Sequence, residues 1–177
     1  MMAQILLQLP QHVHQALWTH LLPPSSRNEE VAFVCAQPDG NDGSHVFKYV
    51  DWIAVPPNGF KSRSSFHLEL SDETRALVIK KAHDLGACLV EFHSHLGPWP
   101  AQFSPSDFGG FREFVPHVWW RLKGKPYLAI VVTKSHFDGL AWIAAPQIPE
   151  RLDGIVVDNH FLAPTGLSPL DGELYER

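Results

Sequence analysis

Apolar residues along this chain are concentrated in short runs that are typical of buried β-strands. Turn-forming residues separate many of these runs, as expected where strands end at the surface. The predicted strands are AQILLQLP, EEVAFVCAQ, SHVFKYVDWIAVP, FHLELS, ACLVEFHSH, PYLAIVVTK and FDGLAWIAA, with RLDGIVVDN as a further candidate. The turn-rich segment PDGNDG separates the second strand from the third, which predicts a β-hairpin.

Three segments between the strands have apolar residues at helical spacing instead. The first predicted helix is PQHVHQALWTHLL, which two prolines stop. The second is ETRALVIKKAHDL, for which Ser71 is a good N-cap and Gly86 a good terminator. The third begins near SPSD and includes DFGGFREFVPHVWW. The residues predicted to face inward are Val13, Ala16, Leu17 and Leu21 in the first helix and Ala76, Ile79 and Ala82 in the second.

This interleaving of strands and helices predicts one mixed α/β (α+β) domain, with a β-sheet flanked by helices, over residues 1–162. Residues 163–177 contain two prolines and two glycines, which predicts a loosely docked C-terminal tail. The chain of 177 residues is 45% apolar, enough to bury the core of a single domain.

Charge and cysteine usage exclude several classes of protein. The net charge of −5 and the lack of a long basic run argue against a nucleic-acid partner. The first eighteen residues have no basic segment and no apolar stretch near the ~20 residues of a membrane span, so we expect no membrane association and a cytoplasmic location. Cys35 and Cys88 lie in apolar runs, which indicates reduced thiols in the core. The sequence contains no CxxC pair, so we do not expect a metal site formed by thiolates.

The segment LVEFHSHLGPWPAQFSPSD carries the candidate chemistry. Alternate residues of a strand share a face, so His93 and His95 point the same way while Ser94 points the other way. Asp107 can supply a third ligand from the start of the next helix, after a loop of residues 96–103 whose two prolines restrict it. Two imidazoles and one carboxylate are a donor set that suits zinc (Zn2+).

A zinc ion with three protein ligands keeps a fourth position for water, whose pKa then falls to about 7. Hydrolysis would further need a general base for that water and a donor for the oxyanion. Ser104 lies one helical turn before Asp107 and is well placed to be this donor.

The pattern HSH, eight residues, S, two residues, D resembles the JAMM motif of the JAB1/MPN/Mov34 metalloproteases, which commonly have one residue fewer between the second His and the Ser. This family also requires a catalytic Glu upstream on a strand, followed three residues later by a small residue. In NEEVAFV, Glu29 meets that requirement with Ala32, where a glycine is usual. Glu30 would place Phe33 there, so Glu29 is favoured and Glu30 remains the alternative.

The resemblance implies an MPN-like fold with zinc bound by His93, His95 and Asp107, Glu29 as general base and Ser104 as oxyanion stabiliser. It further implies an isopeptidase or peptidase that cleaves after the C-terminus of a ubiquitin-like protein. The compact chain is similar to small prokaryotic members that accompany E1-like and E2-like enzymes, some of them in antiphage conjugation systems. Two alternatives stay open: a JAMM peptidase that releases cysteine from a sulphur-carrier protein, and a non-catalytic MPN interaction scaffold.

Two neighbouring features allow more than one interpretation. Glu91 lies on the strand face of the two histidines and is either an edge carboxylate or a residue that orients a metal ligand. The segment HVWWRL places two tryptophans beside Arg121, which indicates either core and cation–π packing or an exposed aromatic lip that holds a partner protein.

Overall fold

A computed structural model of the chain describes residues 3–40 and 44–170. The helices are α1 (Gln11–Leu21), α2 (Asp72–Leu85) and α3 (Pro105–Arg121). The strands are β1 (Ile5–Leu9), β2 (Val31–Pro38), β3 (His45–Ala54), β4 (Phe60–Arg63), β5 (Leu68–Leu70), β6 (Cys88–Ser94), β7 (Tyr127–Val132), β8 (Phe137–Trp142), β9 (Glu150–Arg151), β10 (Gly154–Val157) and β11 (His160–Leu162).

Nine strands form one mixed sheet in the order β11-β10-β1-β3-β2-β6-β7-β8-β9, and β4 and β5 form a separate hairpin. Strand β6 lies near the middle of the sheet, antiparallel to β2 and parallel to β7. Antiparallel pairing of β2 with β3 confirms the predicted hairpin, although residues 41–43 of its turn lie outside the described part of the chain. The predicted mixed α/β single domain is confirmed.

Helices cover both faces of the large sheet. Helix α1 packs on one face, where Leu17 joins Val90 of β6 in a buried core. Helices α2 and α3 pack on the other face, where Ile79 and Val115 join Leu89 in a second core. Because neighbouring residues of a strand point to opposite faces, the odd-numbered residues of β6 face α2 and α3. This parity places Glu91 and His93 between the sheet and α3.

Two predicted inward residues are not buried. In α2, Ala76 is exposed, whereas Val78 joins Ile79 and Ala82 in the core. In α1, Ala16 is only half-buried. The predicted helical spacing was correct. The predicted apolar stripe of α2, however, was centred slightly to one side of the face that contacts the sheet. The N-cap prediction is confirmed, since the Ser71 hydroxyl accepts a hydrogen bond from the Thr74 amide at 3.2 Å.

Helix α3 is continuous although it contains Gly109, Gly110 and Pro116. The two glycines lie on its exposed side, where a side chain would meet no neighbour. Phe111 and Val115 are buried on the opposite side, so packing against the sheet outweighs the low helix propensity of glycine and proline.

Three strand predictions differ from the structure. The segment FHLELS forms only the short β5, which pairs with the unpredicted β4. The segment RLDGIVVDN is split, because β9 pairs with β8 at one edge of the sheet while β10 pairs with β1 near the other. The unpredicted β11 then pairs with β10. Cys35 and Cys88 are buried free thiols, as predicted, and burial raises the pKa of each to about 11.

Residues 163–170 differ from the loosely docked arm that we expected. Asp138 of β8 is buried, and its carboxylate accepts hydrogen bonds from the backbone amides of Gly166 at 3.1 Å and Ser168 at 2.8 Å. Arg151 donates to the carbonyl oxygens of both residues. A buried carboxylate needs donors, and this segment supplies them, so it is anchored to the sheet.

Candidate metal centre

The candidate centre forms where β6 leaves the sheet. His93 lies opposite Val31 of β2 and Val131 of β7, so both neighbouring strands fix its backbone. The amide of His95, just beyond the strand, donates to the Val132 carbonyl at 2.9 Å. His93 is 3% exposed, while the side chain of His95 is 22% exposed and faces a cleft. The site therefore has one ligand in the core and one at the surface.

His93, His95 and Asp107 bring one ligand atom each to a common point. The Nε2 atoms of the two histidines are 3.3 Å apart. Asp107 Oδ1 lies 3.2 Å from the Nε2 of His93, and Oδ2 lies 3.1 Å from that of His95. A tetrahedral zinc ion with ligands at about 2.0 Å would hold their atoms about 3.3 Å apart. These residues can therefore hold a metal ion, and their donor set fits zinc.

A carboxylate lies behind the buried histidine. Glu91 Oε2 is 3.4 Å from the Nδ1 of His93, the ring nitrogen that faces away from Asp107. The buried hydroxyl of Tyr127 donates to Glu91 Oε1 at 2.9 Å. Burial and the nearby Glu91 raise the pKa of Tyr127 well above its usual value, so this hydroxyl stays a donor. Glu91 is thus an interior carboxylate beside a candidate ligand, not an edge carboxylate, and such carboxylates fix the orientation of metal-binding histidines.

Electrostatics at the centre favour a positive charge among the carboxylates. Burial by itself lowers the pKa of His93, but the charge and hydrogen bond of Asp107, together with Glu91, raise this pKa well above its usual value. Burial raises the pKa of Asp107, but His93 and His95 outweigh that effect and hold it far below the usual range. In the absence of metal, a proton on His93 therefore supplies the charge that a cation would supply.

Ser104 and Asp107 form a capping box at the start of α3. The Ser104 hydroxyl accepts a hydrogen bond from the Asp107 amide at 3.2 Å, and Asp107 Oδ2 accepts one from the Ser104 amide at 2.8 Å. The capping box fixes the rotamer of Asp107, so the same local sequence ends the loop and aims the carboxylate at the histidines. The Ser104 hydroxyl proton is not used in this cap.

Glu29 lies at the centre and Glu30 does not. Glu29 is 4% exposed and lines the same clefts as His93, His95 and Ser104. Burial raises the pKa of Glu29, and the nearby His93 and His95 partly offset this rise. The Glu29 amide donates to the Ser64 carbonyl at 2.8 Å, which ties this segment to the β4–β5 hairpin.

Glu30 is bound on the other side of the chain. Its Oε1 lies 2.6 Å from Nη1 of Arg63, in a largely buried ion pair. The guanidinium of Arg63 lies over the ring of Phe60, 4.5 Å from the centroid. The Glu30 amide donates to the Ser94 hydroxyl at 2.9 Å, and the Ser94 amide donates to the Glu30 carbonyl at 3.0 Å. These contacts hold Glu30 away from the candidate ligands.

The two tryptophans of HVWWRL lie in different environments. Trp119 is partly buried against the core, whereas Trp120 is 75% exposed. Trp120 lies in the last turn of α3, and it does not line the clefts at the candidate centre.

Three supporting residues were not anticipated from the sequence. Tyr127 fixes Glu91, Arg63 pairs with Glu30, and Ser94 holds the Glu30 backbone. Each acts on a residue at least 33 positions away, so no local pattern announces it. For Ser94, strand alternation in the HSH motif predicted the direction of the side chain but not its contact with Glu30.

Comparison with known proteins finds no protein-family model and no curated protein that matches the chain. Among residues 3–40 and 44–170, no helix combines the length and the apolar character that crossing a membrane requires.

Proposed function

We propose that the protein is a zinc-dependent peptidase or isopeptidase that cleaves after the C-terminus of a ubiquitin-like protein. The observation that carries the proposal is the convergence of His93, His95 and Asp107, whose ring nitrogens and carboxylate oxygens approach one another to 3.1–3.3 Å, beside the buried Glu29. Zinc, when bound, would supply Lewis acidity and lower the pKa of a coordinated water to about 7. A catalytic rather than purely structural site is favoured because, within residues 3–40 and 44–170, three candidate ligands converge without a fourth and a cleft adjoins them.

Glu29 is the proposed general base. Its carboxylate lies in the same cleft as His95, and its raised pKa makes it a better proton acceptor than an exposed glutamate. Glu29 would take a proton from the attacking water and pass it to the leaving amine. Glu30 cannot share this role while Arg63 holds it in an ion pair.

Ser104 is the proposed oxyanion stabiliser. Its oxygen accepts from the Asp107 amide, which leaves the hydroxyl proton free to donate into the cleft that Ser104 shares with Glu29 and His95. A donor that the capping box already orients needs little rearrangement as charge develops on the carbonyl oxygen. A serine at this position thus has two roles: it caps α3, and its hydroxyl can stabilise the oxyanion.

The ubiquitin-like substrate is proposed from the resemblance of the HSH…S…D pattern, together with the upstream Glu29, to the JAMM family. E1-like and E2-like enzymes in the cytoplasm of a prokaryote are the proposed partners. The cysteine-releasing peptidase would use the same centre on a different adduct, and the scaffold alternative is disfavoured because the ligand set is complete. Neither nucleic acid nor membrane is a proposed partner.

Two matched variants test the mechanism. Glu29→Gln keeps the size of the side chain but cannot accept the proton, so we expect turnover to fall by at least about 10²-fold while zinc stays bound. Glu30→Gln should leave turnover within a few-fold, although the protein should be less stable because Arg63 loses its charged partner. Zinc content measured on both variants is the control. Activity in Glu29→Gln would refute the assignment of the base.

The substrate is tested with a fusion of a ubiquitin-like protein to a C-terminal extension. We expect cleavage after the last glycine of the folded modifier and slow cleavage of unstructured peptides with the same terminal residues, because contacts to the folded body contribute to the transition state. Equal rates on both would contradict this proposal. Cleavage of a cysteine adduct alone would favour the sulphur-carrier alternative.

A further inference from the structure

One of the clefts at the candidate metal centre is mainly apolar. Its polar side is formed by Glu29, His95 and Ser104, which are the residues proposed to perform the chemistry. Most of its other lining is apolar and includes Phe66, Leu96, Trp99, Pro100 and Phe103, and the uncharged polar residues Ser65, Gln102 and Thr133 also line it. Among the described residues that line it, Glu29 is the one acidic residue. A bound segment would therefore meet an apolar surface immediately beside the scissile bond.

Two large aromatic side chains stand at this cleft and are open to solvent. Phe66 is 81% exposed and Trp99 is 74% exposed. They come from separate segments, since Phe66 lies in the turn between β4 and β5 while Trp99 lies in the loop before α3. Exposed aromatic residues clustered at one concave site are typical of binding surfaces.

The Trp99 indole has a defined position although it is exposed. A Cβ atom on Gly97 would lie 2.8 Å from two carbons of the Trp99 ring, so the ring rests on the glycine backbone. Gly97 has a φ angle of 123°, which other residues rarely adopt. Glycine at position 97 therefore allows both the backbone conformation of the loop and the packing of the indole against that backbone.

Hydrogen bonds also fix the segments that carry the two aromatic residues. The Phe66 turn is joined to the proposed base, because the Ser64 carbonyl accepts from the Glu29 amide. The Trp99 loop is held by the C-terminal segment, where the Thr165 hydroxyl donates to the Ala101 carbonyl at 2.7 Å. A cleft with anchored walls loses little entropy when it binds a segment.

We propose that this cleft is a binding subsite for an extended polypeptide segment with a bulky apolar side chain, and that Phe66 and Trp99 determine this preference. The subsite rests on the proposed peptidase function and specifies the kind of sequence that flanks the scissile bond. An apolar side chain would cover both aromatic rings, whereas an acidic one would meet Glu29. A second cleft borders the centre, and its lining includes Arg75 and Glu69, which offer charged contacts to the remainder of the substrate.

Two series of internally quenched peptides test the proposal. Both series contain a fixed Gly–Lys bond and one variable residue, which is Leu, Phe, Lys, Asp or Gly. The variable residue lies two positions before this bond in one series and two positions after it in the other. In one series we expect kcat/KM for Leu and Phe to exceed that for Gly by at least about tenfold. Phe66→Ala and Trp99→Ala should reduce this ratio towards one.

Trp120→Ala and Phe161→Ala are matched controls, because both residues are exposed aromatics that do not line this cleft. Both control variants should retain the wild-type ratio. A preference for Lys would overturn the proposal in favour of a cation–π subsite. Equal cleavage of all peptides in both series would overturn the subsite and leave the proposed peptidase function intact.

A binding measurement keeps the two proposals distinguishable. The Leu and Gly peptides are titrated by calorimetry into the zinc-loaded Glu29→Gln protein, where no turnover is needed. Tighter binding of the Leu peptide that is lost in Trp99→Ala supports the subsite even if no peptide is cut. Equal binding of both peptides overturns the subsite. Failure to cut both the peptides and the ubiquitin-like fusion overturns the peptidase function instead.

Discussion

Ser168→Ala is expected to loosen the loop that precedes α3. The Ser168 hydroxyl accepts a hydrogen bond from the amide of Phe103 at 2.9 Å, and both residues are fully buried. Phe103 directly precedes the N-cap Ser104, so this bond connects the C-terminal segment to the element that aims Asp107. Alanine at position 168 would leave the Phe103 amide buried without this acceptor.

The expected loss of stability follows from the buried Phe103 amide that would lack an acceptor. A buried amide that loses its acceptor destabilises the folded state by about 1–3 kcal/mol. For a domain of this size, each kcal/mol corresponds to about 2–4 °C in melting temperature. Zinc affinity should also fall, because metal binding would then have to order the loop. The expected loss is up to about tenfold for each 1.4 kcal/mol of free energy that this ordering costs.

Urea unfolding of the metal-free and zinc-loaded proteins measures both effects. Ser26→Ala is the control, because the Ser26 hydroxyl makes a local bond to the Asn28 carbonyl near the surface and its loss should change stability by less than about 0.5 kcal/mol. A Ser168→Ala protein as stable as the wild type would refute the inference that residues 163–170 anchor the loop. Lower stability with unchanged zinc affinity would show that the anchor supports the fold but not the metal centre.

Three further outcomes are expected. The purified protein should carry about one zinc per chain, and Asp107→Ala or His95→Ala should lose most of it when metal content is assayed; full occupancy in both variants would refute the ligand set. Chelation should stop turnover and leave a cooperative melting transition, because the two cores are formed by apolar side chains that pack without a metal; loss of that transition would indicate a structural metal. Because the pKa of His93 is raised in the folded state, its protonation stabilises the metal-free protein fully below about pH 6.5. The free energy of unfolding of the metal-free protein should therefore fall as the pH rises through the raised pKa of His93. The zinc-loaded protein should not show this loss, because the metal replaces the proton.

The sequence predicted that His93, His95 and Asp107 converge because the relevant information is local. His93 and His95 are two residues apart in a strand whose apolar character is evident, so strand alternation alone places them on one face. Ser104 and Asp107 are three residues apart at a helix start, the spacing of a capping box. Only the approach of these two pairs is long-range, and the loop of residues 96–103 limits it.

The supporting contacts were not predictable because they depend on strand register and on distant segments. Tyr127 reaches Glu91 because β6 and β7 pair with Leu89 beside Tyr127, and no local pattern specifies that register. The anchoring of residues 163–170 depends on Asp138, a buried carboxylate that the sequence presents as an ordinary charged residue. Proline and glycine content predicted a loosely docked tail, but backbone amides in an irregular segment are also good donors to a buried anion.

The two adjacent glutamates show how the fold separates groups that the sequence places together. Glu29 and Glu30 precede the first residue of β2, where ladder pairing alone does not fix their side chains. Ser94 and Arg63 bind the backbone and carboxylate of Glu30, so the neighbouring Glu29 is left to face the histidines. One carboxylate is neutralised by an ion pair, and the other is buried with a raised pKa. An environment that divides two like groups in this way is a physical basis for giving only one of them a role in proton transfer.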